Sequence, residues 1–201
     1  MFIVIEGLDG AGGETQAKRL EGFLSDKGKD VVMLSYPNPD SPIGKVIYEY
    51  LNKSIELSPE VQMALYVADF ALDKEKIEDA KSSGKIVVSN RYFFSTLAYQ
   101  CGAKGVDTDE AIDFANTMGI PEPDLVIYLD ITPVTSKKRK IGENNNLDRH
   151  EEDDDLLAKV REAYIKLAKE DTFAKKSVMI NGEKGVNEVT AEIQYEVSKL
   201  L

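Results

Sequence analysis

The sequence predicts an α/β fold in which a parallel sheet is covered by helices on both faces. Three features predict it: short apolar runs recur along the 201 residues, helical patterns fill the gaps between them, and a glycine-rich turn follows the first run directly. The runs are FIVIE (2–6), VVMLS (31–35), IVVSN (86–90) and LVIYLD (125–130), with a weaker fifth, SVMIN (177–181). Each is short, rich in β-branched residues and bounded by polar or turn residues, as strands buried on both faces are. Helices are predicted from Thr15 to about Lys27, over 59–81, near 95–101, over 107–118, over about 153–171 and over about 187–200. Alternation of this kind belongs to parallel sheets. No internal repeat or long linker divides the chain, so one domain over 1–201 is expected.

Composition narrows the function classes. A formal charge of −11 argues against nucleic-acid polymers and anionic membranes as partners, because both repel an acidic surface. Cys101 is the only cysteine, so an internal disulfide is excluded and a reducing, cytoplasmic setting is expected. His150 is the only histidine, which excludes a histidine-rich metal site and disfavours a Ser-His-Asp triad. The start, MFIVIEG, has no basic region and only a short apolar run, so no signal peptide is expected.

The turn after the first run, GLDGAGGETQ (7–16), is nearly a phosphate-binding loop. The pattern G-x-x-x-x-G-K-[ST] is met at Gly7 and Gly12 and then fails, with Gly13 in the lysine position and Glu14 in the hydroxyl position. Its setting, directly after a strand and before a helix, is the one the mechanism needs. Glycines let the backbone turn its N–H groups toward an anion, and the helix adds its positive N-terminal end. The two departures shift the local charge unfavourably for phosphate and Mg²⁺. Lys18 is a turn further along the helix and is not expected to substitute. Further on, KKRKIGENNNLDRHEEDDD (137–155) is polar and aperiodic. Its EEDDD end reads as an acidic first helical turn, and the part before it as a flap able to close over a charged ligand.

Five stretches together resemble the thymidylate kinase family, the dTMP kinases among the P-loop nucleoside monophosphate kinases. They are the opening strand and loop, YPNPDSPIGKVIYEYL (36–51), SNRYFFSTLAYQCGAKG (89–105), GIPEPDLVIYLDITP (119–133) and LDRHEEDDDLLAKVREAYIKLA (147–168), in order and over essentially the full length. The resemblance implies a three-layer α/β/α sandwich with a five-stranded parallel sheet and a short lid over about 137–152. It also implies transfer of the γ-phosphoryl of ATP to dTMP with Mg²⁺, by a cytoplasmic homodimer.

Carried over residue by residue, the resemblance assigns Gly7, Leu8, Asp9, Gly10, Ala11, Gly12, Gly13, Glu14, Thr15 and Arg139 to ATP. It assigns Asp9, Tyr36, Tyr66, Phe70, Arg91, Tyr99 and Gln100 to the acceptor, and catalytic charge to Asp9, Arg91 and Arg149. No protein residue is assigned as a metal ligand. Arg91 would hold the acceptor phosphate, since an arginine just past a strand's C-terminal end points into the ligand crevice. Asp9 could instead stabilise its loop through an Asx turn, and Tyr66 and Tyr99 could be core residues. With alanine at position 11, positive charge must come from the lid, from Arg139, Lys140 and Arg149.

Besides Gly13, the chain departs from the family pattern at Asn90, where an aspartate is usual, at Phe70, where an arginine reads the base, and at Pro39, where some members have a phosphate-binding arginine. Two other readings fit these departures: a nucleotide-binding protein without useful kinase activity, and a kinase for another deoxynucleoside monophosphate.

Overall fold

In the computed structural model, which describes residues 1–143, 149–150 and 153–201, the strands β1 (Phe2–Gly7), β2 (Val31–Ser35), β3 (Ile86–Asn90), β4 (Leu125–Asp130) and β5 (Ser177–Asn181) form one parallel sheet in the order β2-β3-β1-β4-β5. Each lies within one residue of its predicted run. The central strand β1 is buried along its whole length, and β3 and β4 nearly so. β5 is an edge strand in which only Ile180 is fully buried, which explains its weaker apolar signal. The register pairs Ile5 with both Asn90 and Ile127, so the end of β3 lies beside the start of the glycine-rich turn.

Helices lie on both sides. α1 (Gly13–Asp26) and α9 (Val186–Ser198) pack together, with Gln16 Nε2 donating to the Val186 carbonyl at 3.0 Å and Arg19 donating to Asn187 Oδ1 at 2.7 Å. A second group comprises α3 (Pro59–Ala71), α5 (Phe93–Thr96), α6 (Thr108–Met118) and α8 (Asp154–Glu170). Asp107 caps α6 and Asp153 caps α8 by accepting from backbone N–H groups, and Asp154 and Asp155 form the expected acidic first turn of α8.

The helix predicted over 59–81 is two helices. α3 ends at Ala71, and α4 (Lys74–Ser82) follows after Leu72 and Asp73. The Asp73 carboxylate accepts from the Tyr36 hydroxyl at 2.9 Å, a bond across 37 residues that local periodicity cannot register. Two helices are absent from the periodic pattern. α2 (Pro42–Leu51) carries a proline in its first turn, and the Ser41 hydroxyl accepts from Gly44 N at 2.7 Å. α7 (Pro133–Glu143) takes up the first part of the expected lid. The asparagine run and Asp148, at residues 144–148, lie outside the described residues, as do 151–152. The helix expected near 95–101 is α5 continued by a π-helical turn, Leu97–Ala103, whose wider winding sets the directions of Tyr99 and Gln100.

Gly44 is the tightest backbone contact in this frame. A Cβ there would stand 1.8 Å from the Asn38 carbonyl oxygen. That carbonyl cannot swing away easily, because Asn38 N and Ser41 Oγ both donate to the buried Asp69 carboxylate. Gly44→Ala is expected to destabilise the protein by about 1–3 kcal/mol, lowering the thermal midpoint by roughly 2–4 °C per kcal/mol; a calorimetric scan checks it.

Candidate active site

The turn from β1 into α1 closes around a cavity of about 180 Å³, lined by residues 7–15 with Asn90, Arg91 and Lys140. Gly12 has φ 93°, a left-handed conformation that glycine adopts without strain, and it opens the first turn of α1. The N–H groups of that turn have no partner within the helix and carry its positive end. The loop is held from behind by α7: Ser136 Oγ donates to the Asp9 carbonyl at 2.6 Å, and Arg139 donates to the Gly10 carbonyl at 3.1 Å and the Gly182 carbonyl at 2.9 Å. Glu14 turns outward and pairs with Lys18 at 2.6 Å on the exposed face of α1.

At the mouth of the loop, Arg91 Nη2 meets Asp9 Oδ1 at 2.9 Å. Burial pushes the Asp9 carboxyl up, but Arg91 and Lys140 outweigh this and hold it below the ordinary carboxylate range. Arg91 has φ 66°, a left-handed backbone unusual for a side chain of its size. Two bonds fix it there: Arg91 N donates to the Ile5 carbonyl at 2.8 Å, and Ser89 Oγ donates to the Arg91 carbonyl at 2.7 Å. Its guanidinium also reaches Ser95 Oγ at 3.1 Å and the Tyr164 hydroxyl at 3.4 Å.

Behind these hydroxyls lies Glu6, 1% exposed in the middle of the sheet. Its Oε1 accepts from the backbone N–H groups of Tyr92 at 2.8 Å and Ser95 at 3.3 Å. Its Oε2 accepts from Ser95 Oγ at 2.6 Å and from the Tyr164 hydroxyl at 3.2 Å. Burial drives the Glu6 carboxyl up to about 7, against the opposing pull of Ser95, Arg91 and the backbone donors. Glu6, Ser95 and Tyr164 were not singled out from the sequence. The available signal was a charged letter inside a strand covered on both faces, which must find partners.

Of the other expected site residues, Tyr99 borders this group, its ring centroid 6.4 Å from that of Tyr164. It is buried, adds to the electrostatic surroundings of Arg91, and stacks on the His150 ring at 5.0 Å between centroids. His150 is held neutral, its pKa lowered to about 3 by burial and by Lys104, whose Nζ lies 2.8 Å from His150 Nε2. Gln100 is buried and donates to Gln62 Oε1 at 3.3 Å. Tyr66 is half-buried on α3. Tyr36 and Phe70 lie in an aromatic core: Phe70 packs edge-on against Tyr36 at 4.9 Å and against Tyr92 at 4.7 Å. Arg149 is away from the loop cavity's wall. It forms a two-pronged pair with Glu56 at 2.6 and 2.7 Å, donates to the Tyr50 and Ile55 carbonyls, and lies over the Tyr50 ring. Lys140 is the lid-side cation that lines the cavity.

A parallel sheet with a glycine-rich strand-to-helix turn at its carboxyl end, facing a partly buried arginine, is the architecture of a P-loop kinase. A sequence profile described as "Thymidylate kinase" matches residues 5–193. The thymidylate kinase of Thermoanaerobacter sp. (strain X514) is 39% identical over 204 residues, covering 100% of this chain and 98% of its own length. A probable thymidylate kinase of Thermococcus onnurineus is 37% identical, covering 99% of this chain and 100% of its own length. One of Archaeoglobus fulgidus is also 37% identical, with 100% and 96% covered. The chain belongs to the thymidylate kinase family.

Glu6 also sets a pH dependence. Between the ordinary glutamate value of 4.5 and about 7, the folded protein holds a proton on Glu6 that the unfolded chain has already lost. The folded state then binds more protons, so this residue makes stability fall as pH rises through that window and level off above it. Glu6→Gln is expected to flatten that decline, whatever it does to stability at one pH. Urea unfolding of both proteins at several pH values between 5 and 8 checks it, and equal slopes would remove the assignment.

Proposed function

We propose that this chain phosphorylates dTMP to dTDP, with ATP as phosphoryl donor and Mg²⁺, as a cytoplasmic homodimer. The observation that carries the reading is the pairing of Arg91 and Asp9 at the mouth of the glycine-rich loop, in a chain of this family. That no helix among the described residues is long and apolar enough to cross a membrane is compatible with action on dissolved nucleotides.

Phosphoryl transfer asks a protein chiefly to position two phosphates and to surround the moving group with positive charge. In our reading, residues 7–15 hold the phosphates of ATP on backbone N–H groups, and Arg139 keeps the loop in shape through the Gly10 carbonyl. Arg91 binds the phosphate of dTMP, and Asp9 keeps the guanidinium turned toward the loop. A dTMP phosphate oxygen then attacks the γ-phosphorus, the bond to the bridging β–γ oxygen breaks, and ADP leaves. Lys140 supplies lid-side charge in preference to Arg149, because Lys140 lines the cavity and Arg149 does not. The donor chemistry of the cavity fits Mg²⁺, since Asp9 and Thr15 on its lining carry hard oxygens, with Asp9 the carboxylate suited to hold the ion. When bound, Mg²⁺ supplies positive charge at the phosphate oxygens. Tyr66, Tyr99 and Gln100 form the base side of the acceptor site, with Tyr36 and Phe70 packed behind it.

Two measurements test this. A panel of monophosphates with ATP and Mg²⁺ should give turnover of dTMP. Because Phe70 offers no guanidinium to a base carbonyl, preference for dTMP over dCMP should stay within roughly 200-fold. No turnover of any monophosphate would overturn the kinase reading. Arg91→Ala should weaken dTMP binding by about 1.5–3 kcal/mol in calorimetry while leaving ATP affinity little changed; unchanged dTMP affinity would remove Arg91 from the acceptor site.

A further inference from the structure

Gly13 and Asn90, two departures from the usual kinase pattern, touch the same space. A Cβ built on Gly13 would stand 2.5 Å from Asn90 Oδ1, and the only other side chain within reach is Ile5, at 4.0 Å. The β1–β3 register produces this approach, because pairing Ile5 with Asn90 brings the end of β3 against the first turn of α1. Gly13 leaves room, and the Asn90 head fills it on the wall of the loop cavity.

The other end of the Asn90 amide is anchored but not committed. Its Nδ2 donates to Ser35 Oγ on β2 at 3.3 Å. A serine hydroxyl donates as readily as it accepts, so rotating the amide by half a turn keeps the anchor and turns the NH₂ toward the loop. The cavity lining already includes the carboxylate of Asp9, whereas that of Glu14 turns outward to Lys18. A second carboxylate at position 90 would repel a polyphosphate there, whereas an amide supplies a donor without adding charge.

We infer that Asn90 is the side chain that contacts the terminal phosphates of a nucleotide held by the loop, in the space a side chain at position 13 would otherwise fill, so that residues 13 and 90 act as one unit. The inference rests on the nucleotide-binding part of the reading above.

The test is a double-substitution cycle on the full chain, read by calorimetry with a non-hydrolysable ATP analogue and Mg²⁺, and by kcat with ATP and dTMP. Asn90→Ala should lower analogue affinity roughly ten- to a hundredfold, the worth of one hydrogen bond to a charged acceptor. Gly13→Ala adds only the Cβ, displaces the Asn90 head and should lose a similar amount. The double variant should lose no more than either single one. Asn90→Asp keeps the size of the head but removes its donor, so it should lose at least as much as Asn90→Ala. In a Gly13→Lys background the same Asn90→Asp change should instead improve kcat, because the introduced lysine pairs with it.

Wild-type affinity and kcat in Asn90→Ala would overturn the inference. So would losses that multiply in the double variant, or an Asn90→Asp effect of the same sign in both backgrounds. Thermal melts establish that each variant is folded. Coupled losses in binding without turnover would overturn the kinase reading and leave the inference standing. Turnover with independent losses would do the reverse, and a chain that binds no nucleotide would end both.

Discussion

A carboxylate occupies the middle strand of the sheet, where its neighbours in β1 are apolar and fully covered, and four donors converge on it. Left without them, Glu6 would cost several kcal/mol, far more than the ~1 kcal/mol that a partly exposed pair such as Asp9–Arg91 contributes. The magnitudes therefore assign the organising role to Glu6. Its donors come from Tyr92 and Ser95 at the start of α5 and from Tyr164 on α8, so one side chain ties the central strand to two elements up to 158 residues away. Ser95 and Tyr164 then use their remaining hydrogen-bonding capacity on Arg91. The interaction that stabilises the core and the one that orients the site arginine share the same hydroxyls.

That sharing explains how Arg91 can keep a left-handed backbone, a conformation that costs about 1–3 kcal/mol and persists only where surroundings over-determine it. Here the chain is fixed before the arginine by β3, at the arginine by bonds to Ile5 and Ser89, and after it by Glu6 holding Tyr92 and Ser95. The side chain therefore needs little reorganisation before it meets an anion, and less binding free energy is lost to ordering it.

The strands and the loop were legible in the sequence because they depend on local chemistry: β-branched runs, flanking turns and glycine spacing. The failures share one cause, which is dependence on a distant partner. At the break between α3 and α4, Asp73 accepts from Tyr36, and the π-helical turn packs against α5 and α8. Phe70 matches a base-reading position by alignment, yet its neighbours Tyr36 and Tyr92 draw it into the core. Matching a motif transfers a position and not the environment around it. Arg149 is the same case, since Glu56 and the carbonyls of Tyr50 and Ile55 hold it, and none of these is visible from the lid segment alone. Glu6 was legible as a letter, but its meaning required knowing that the strand is covered on both faces.

The loop's missing lysine is best understood through α7. Ser136, Arg139 and Lys140 fall at positions i, i+3 and i+4, one face of a helix. That face lies on the loop, since a Cβ on Gly10 would approach the Ser136 carbonyl at 3.0 Å and the side chains of Arg139 and Lys140 at 3.2 and 3.6 Å. Two of the three side chains hold loop carbonyls, and the third lines the cavity. The loop's shape and the cation beside it are thus set by one rigid element. Contacts that a phosphate makes equally before and during transfer favour affinity without favouring turnover. A cation positioned where charge develops during transfer acts on the transition state more than on the ground state. In the reading proposed above, Lys140 supplies a contact of that second kind from the cavity wall, while α7 keeps the loop in shape.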